Sequence, residues 1–349
     1  MLAMFAFVRS VRVVLLALVL SSLALAGAHA QGQPTRVNPT ADSVNEQKLL
    51  EALKPGNAGV TEAVKGRVSI PDKGSGNLIQ PAGRDWGVFH QQTLPRIGAY
   101  AIFGMIGLVA IFFLIRGRIR VASGFSGRLI ERFGSIERFA HWTAATSFIV
   151  LGLSGLNLTF GKSLLLPLIG PEAFTTVSQA GKIAHNYVSF AFVLGIVLMF
   201  VMWVKDNIPH PRDFVWLVKG GGLVGNVHPP AGRFNFGQKL IFWSVILGGT
   251  GLSVTGYILM FPFQFADLGG MQLAGIVHGL IGVVLVAIII AHIYIGTLGM
   301  EGAFDAMGTG NVDVNWAKEH HSVWAAKVEE RSSSITSTTG PAPRAAPAE

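Results

Sequence analysis

The stretch QLAGIVHGLIGVVLVAIIIAHIYIGTL, from Gln272 to Leu298, decides the fold. It carries no Asp, Glu, Lys or Arg, and at about 1.5 Å per residue a helix of this length crosses the roughly 30 Å hydrocarbon core of a bilayer. His278 and His292 interrupt it, fourteen residues apart. On a helix they differ by about 40° around the axis and about 21 Å along it. They therefore share one face at opposite membrane depths. An ionisable side chain at such depth is costly, which makes each histidine a candidate for function.

Four more segments of the same kind precede it, at Ile97 to Ile115, Glu137 to Leu158, Gly181 to Val204 and Lys239 to Met260. The composition agrees. Hydrophobic residues make up 50% of the 349, charged residues only 13%, and the mean hydropathy is +0.50. A water-soluble chain carries about a quarter charged residues, so a soluble enzyme is excluded first. The 27 Lys and Arg against 19 Asp and Glu give a net charge of +8, which in a soluble protein would suggest nucleic acid; here the positives follow topology instead. There are no cysteines. The chain thus holds no disulfide, thiolate zinc site or iron–sulfur cluster, and any redox metal must rest on His, Met or oxygen ligands.

Between the spans, basic and neutral loops alternate. The first loop holds Arg116, Arg118, Arg120, Arg128, Arg132 and Arg138; the second only Lys162 and Lys182. The third has Lys205, Arg212, Lys219, Arg233 and Lys239, the fourth, Phe261 to Met271, has none, and Lys318, Lys327, Arg331 and Arg344 follow the last span. By the positive-inside rule the amino terminus lies outside the cytoplasmic membrane of a bacterium and the carboxyl terminus inside. Residues 1–30 read as a cleaved secretory signal, with Arg9 and Arg12 before the apolar run Val13 to Ala26 and an Ala28-His29-Ala30 cleavage site. Residues 31–96 read as a polar, loop-rich periplasmic extension, 97–115 as an additional transmembrane helix, and 131–328 as the main domain. Residues 329–349 read as a disordered cytoplasmic tail. The expected fold is thus an all-α membrane protein, a four-helix transmembrane bundle plus one additional N-terminal transmembrane helix.

Of the ten histidines, four fall within spans. His185 sits a turn inside the outer start of its span, level with His278, and His141 a turn inside the inner start of another, level with His292. Two level pairs, His185 with His278 and His141 with His292, are what two six-coordinate b haems require, each iron taking an imidazole from either side within a helix bundle. Gly152, Gly155, Gly279, Gly282 and Gly296 would let a flat ring approach, or would serve ordinary helix packing. A single metal centre of all four histidines does not suit two levels about 20 Å apart. A proton relay stays open, although no Asp or Glu lies mid-span. The loop histidines read as solvated, with His320 and His321 near a partner surface at most.

Several separated motifs from about Glu131 to Val328 resemble one family. They are Glu137-Arg138-Phe139-Ala140-His141-Trp142, Leu153-Ser154-Gly155, Gly181-Lys182-Ile183-Ala184-His185, Asp206-Asn207-Ile208-Pro209, Phe234-Asn235-Phe236-Gly237-Gln238-Lys239, Val254-Thr255-Gly256, Ile276-Val277-His278-Gly279, Ala291-His292-Ile293-Tyr294 and Trp316-Ala317-Lys318-Glu319-His320-His321. Together they resemble the gamma, cytochrome b556, subunit of respiratory formate dehydrogenase, in a form extended by a signal and an extra span. The Arg-x-x-His-Trp start is shared with cytochromes b of nickel–iron hydrogenases.

The resemblance implies a dihaem cytochrome b whose ligands are the same two pairs, His185/His278 and His141/His292. It implies an electron-transfer and quinone-reducing subunit, with formate oxidised on another chain. The implied partners are an iron–sulfur beta subunit and a molybdenum or tungsten alpha subunit, beside membrane lipid and quinone and without nucleic acid. It also points to a quinone site at Asn235, Gln238 and His292; Asn235 equally suits the cap of the helix that follows it. Two alternatives remain at this stage: the cytochrome b of a hydrogenase or related oxidoreductase, and a haem-free membrane anchor or transporter.

Overall fold

A computed structural model describes residues 81–222 and 227–338, and the described residues from Asp85 onward form one compact unit. The expected signal, and the extension up to residue 80, lie outside the described residues. Among the described residues, five helices are long and apolar enough to cross a membrane. Helix α1 (Pro81–Val88) continues through one π turn, Phe89–Thr93, into α2 (Leu94–Arg116). The first span therefore begins well before Ile97, inside what reads as polar extension. The π turn fits Pro95, which lacks the N–H and crowds the preceding turn, and a π turn is one way a helix absorbs such a break.

Helices α3 (Ser135–Leu164) and α4 (Leu166–Trp203) follow almost without interruption, although the sequence reads as a loop between Leu158 and Gly181. The actual break is a kink at Gly170, with φ 78 and ψ 169, followed by Pro171. Glycine tolerates the left-handed φ, and proline is accommodated in the first turn of the helix that resumes. His185 thus sits mid-helix rather than one turn from its start. The connection to the fourth span contains a short helix α5 (Pro211–Val218), after which come α6 (Phe236–Met260) and α7 (Leu268–Tyr294).

Small residues set the close approaches. A β-carbon at Gly195 of α4 would lie 2.7 Å from the backbone nitrogen of Ala144 on α3, so only glycine permits that crossing. One at Gly279 of α7 would meet Leu94 of α2 at 2.6 Å. Gly279 is therefore where the additional span packs against α7, the helix-packing alternative of the two read from the sequence. Gly296, by contrast, has no side chain or foreign backbone within 4 Å of a built β-carbon.

At the arginine-rich end the chain adds structure that the all-helical expectation lacked. Strand β1 (Leu129–Glu131) pairs antiparallel with β2 (Asn311–Asp313), aligning Ile130 with Val312. A short α8 (Asp305–Gly308) precedes β2, and α9 (Val314–His320) and α10 (Ser322–Thr338) follow it. Helix α10 runs on through the start of the tail expected to be disordered; residues 339–349 lie outside those described. Asp313 caps α9 by accepting from Asn315 N at 2.8 Å, and also accepts from Gly127 N at 2.9 Å. Burial disfavours its charge, but these N–H donors outweigh that and hold its carboxyl below the usual range. This end is sealed by Ile119, Phe133, Trp203, Phe234, Val312 and Trp316 in one buried cluster.

Candidate functional site

The four spanning histidines meet in two pairs. His185 of α4 faces His278 of α7 with ring centroids 6.2 Å apart and planes at 58°. His141 of α3 faces His292 of α7 at 6.2 Å and 61°. A metal–imidazole bond is about 2 Å, and with roughly 1 Å from each ligating nitrogen to its ring centre, two imidazoles on opposite sides of one metal stand about 6 Å apart. Both pairs have that spacing. Among the described residues no group of three or more His, Asp or Glu is placed to hold a bare metal ion, so each pair suits a metal whose remaining ligands come from a macrocycle.

The hydrogen bonds at the first pair fix its chemistry further. Ser154 Oγ lies 2.8 Å from His185 Nδ1 and already donates to the Val150 carbonyl at 2.7 Å. Thr255 Oγ1 lies 3.0 Å from His278 Nδ1 and donates to the Gly251 carbonyl at 2.7 Å. A hydroxyl has one proton. With that proton on the backbone carbonyl, each oxygen is free to accept from Nδ1–H, the tautomer that leaves Nε2 as a bare lone pair, the form that ligates a metal. Glycine keeps the rings in place: β-carbons at Gly155 and Gly256 would lie 3.7 Å from His185 and 3.2 Å from His278. At the second pair, His141 Nδ1 is buried without a hydrogen-bond partner.

Residues 132–310 match the family described as prokaryotic cytochrome b561. The chain belongs to that family. Named relatives narrow the kinship. The chain is 33% identical over 218 residues to the formate dehydrogenase, nitrate-inducible, cytochrome b556(Fdn) subunit of Escherichia coli strain K12, covering 61% of this chain and 98% of the relative. It is 31% identical over 206 residues to the formate dehydrogenase cytochrome b556(fdo) subunit of the same strain, 58% of this chain and 94% of that one. A formate dehydrogenase cytochrome b556 subunit of Haemophilus influenzae is 27% identical over 202 residues, 82% of its length. The resemblance expected from the motifs therefore holds, and the first 131 residues lie outside the family match.

Asn235 and Gln238 are the residues on which the sequence placed a quinone. The structure makes them a capping box at the start of α6: Gln238 N donates to Asn235 Oδ1 at 2.9 Å, and Asn235 N donates to Gln238 Oε1 at 3.1 Å. Both amide oxygens already accept bonds, and the NH2 donors are what these side chains could offer a ligand. Asn235 also lines a cavity of about 30 Å3. That volume holds one water and no quinone ring.

His320 and His321 correct the sequence reading, since both are buried. His321 is 1% exposed. Its Nδ1 donates to the Gly232 carbonyl at 2.8 Å and its Nε2 accepts from Arg132 Nη2 at 3.0 Å. Arg132 itself lies against the rings of Phe133, Trp316 and Trp324 at 5.1, 5.4 and 5.0 Å. Burial, then neighbouring Arg233, lowers its pKa to about 9 against the pull of Glu137. Glu137 gathers the same end together, accepting from Trp203 Nε1 at 2.7 Å, from Arg233 Nη2 at 2.7 Å and from Gly134 N at 3.0 Å. The sequence held one overlooked signal. Trp316 and His320 stand at i and i+4, on one face of a helix.

Proposed function

We propose that this chain is the membrane cytochrome b subunit of a formate dehydrogenase complex, with two b haems held by His185/His278 and His141/His292. The observation that carries the proposal is the first pair, whose Nδ1 atoms bond Ser154 and Thr255 and whose rings stand 6.2 Å apart, the spacing of two imidazoles on one metal. Bound at the two levels, haem would supply one-electron couples on the two sides of the bilayer. The chain's own part is to hold the imidazoles as ligands, to exclude water with apolar helices and to bring the electrons near a quinone. The relatives' names speak for formate as the source. An iron–sulfur subunit and a molybdenum or tungsten catalytic subunit would deliver electrons at the His185/His278 level.

In this reading residues 31–96 lie in the periplasm and the arginine-rich end lies in the cytoplasm. Residues 131–328 form the dihaem domain, and quinone docks near the His141/His292 level, where the amide NH2 groups of Asn235 and Gln238 can donate to its carbonyls. A hydrogenase cytochrome b is the second reading, favoured by the Arg138-x-x-His141-Trp142 start. One experiment separates them. In native membranes, formate should bring up the reduced b-haem alpha band and hydrogen should not. Reduction by hydrogen alone points to the second reading, and a chain without that band under dithionite is a haem-free anchor.

A further inference from the structure

The cavity of about 30 Å3 at the arginine-rich end is lined by Asn235, Met300, Glu319 and His320, with Trp216 and Pro229 closing it. It joins the first turn of α6 to the segment that follows His292. His320 is 7% exposed, and its Nε2 is buried with no hydrogen-bond partner. Its ring packs 5.2 Å from that of Trp316, but a buried imidazole nitrogen without a partner is costly, and packing alone does not account for it. The polar groups step outward from it. Glu319, 9% exposed, adjoins His320 in sequence, and its Oε2 lies 4.0 Å from Nε2 of His228, which is 32% exposed. The His228 and His320 rings are 6.0 Å apart.

We propose that His228, Glu319 and His320 form a proton entry from solvent to a quinone docked at Asn235, with His320 the last protein group before the cavity water. The proposal rests on the quinone reading above. The balance is simple: a quinone takes two electrons from the haem at His141/His292 and two protons from solvent, and leaves as quinol. The chain must supply a path for those protons through a packed end, and a cavity with room for one water beside an imidazole is such a path.

The charges suit the task. Burial raises the Glu319 carboxyl, but N–H donors of Ser123 and Ala122 at 2.8 and 2.9 Å outweigh it and keep it anionic. Burial lowers His320 to about 4; Glu319 opposes this, while His228 and Arg132 add to it. His320 therefore rests neutral, with one nitrogen able to donate and the other to accept, and can take a proton on one side as it releases one on the other. His321 is unsuited, because both of its nitrogens are engaged.

The test uses the detergent-solubilised complex with its partners, reduced by formate and mixed with menadione or decylubiquinone. His320→Gln should slow haem reoxidation about tenfold or more, with both haem bands intact and the Kd of menadione, measured by calorimetry on the oxidised complex, unchanged. In His320→Ala, added imidazole should restore the rate. Native reoxidation in His320→Gln overturns the relay, and so does a loss explained by weaker menadione binding or one that imidazole cannot repair. Asn235→Ala distinguishes the two levels of the argument. If it binds menadione and reoxidises like the native complex, the quinone reading fails and the relay with it. If only His320→Gln behaves like the native complex, the relay alone fails.

Discussion

Ser154 Oγ on α3 reaches His185 Nδ1 on α4 at 2.8 Å while donating its own proton to Val150. One hydroxyl thereby selects the tautomer of a residue on another helix, and Thr255 does the same for His278 from α6 to α7. Partners of this kind typically contribute 10- to 100-fold to metal affinity. Ser154→Ala or Thr255→Ala should accordingly weaken haem at the His185/His278 level by about tenfold or more and leave the other level filled. Haem titration of the purified variants reads this directly; equal retention at both levels would remove the hydroxyls from the site.

The two pairs should be separable. His185→Ala and His278→Ala should each reduce haem from two per chain to one, with the same band lost, and His141→Ala and His292→Ala should lose the other band. Pyridine haemochrome assay with low-temperature spectra checks it. Two haems per chain in any of the four variants would break the pairing.

Orientation has its own test. In the proposed orientation, with the basic loops in the cytoplasm, a reporter active only after export and fused after Val328 should be silent. An active fusion would exchange the inner and outer levels.

Lys239 and Asp213 form a buried ion pair at 2.8 Å, each about 8% exposed, with Lys239 Nζ also donating to the Ile208 carbonyl at 2.9 Å. Lys239→Met strands the carboxylate in a low-dielectric site and should cost about 3–5 kcal/mol. The double variant Lys239→Met with Asp213→Asn removes both charges, keeps an acceptor for His210 N, which now bonds Asp213 at 2.7 Å, and should recover much of the loss. Thermal unfolding in detergent decides it. If the double variant is no better than the single one, charge burial is not the cause.

Acid should loosen the arginine-rich end. Burial lowers His321 well below 6.5, with Arg132 adding to it, and lowers His320 to about 4. The unfolded chain therefore binds more protons than the folded one from about pH 6.5 downward, so the stability these groups contribute is fully present above that pH and declines as pH falls toward 4. Protection factors of the α9 amides, taken against the intrinsic exchange rate at each pH, should fall between pH 7 and pH 5, and His321→Gln should flatten that dependence.

How much of this was legible beforehand differs from residue to residue. His278 and His292 sit on one uninterrupted apolar stretch, and helix geometry alone put them on one face at two depths. The pairing of His185 with His278 and of His141 with His292 was read from their places in the spans and from the loop charges, although His185 lies mid-helix rather than one turn from its start. Asn235 as a cap could be read locally, because a capping box involves residues three apart. The tautomer-setting contacts could not, since Ser154 to His185 and Thr255 to His278 run between helices and no periodicity specifies which hydroxyl faces which ring.

The sequence by itself determined what depends on local chemistry and on the bilayer: the number of spans, the excess of charge at one end and the shared face of His278 and His292, because an apolar run and the rise per residue leave little choice. Tertiary structure alone decided that Gly279 packs against Leu94, that α3 passes almost directly into α4, and that His320 and His321 are buried. Those outcomes hinge on long-range packing. His321 lies far along the chain from Arg132, and only when β1 pairs with β2 and α9 folds back does a histidine that reads as solvated become the partner of a buried arginine.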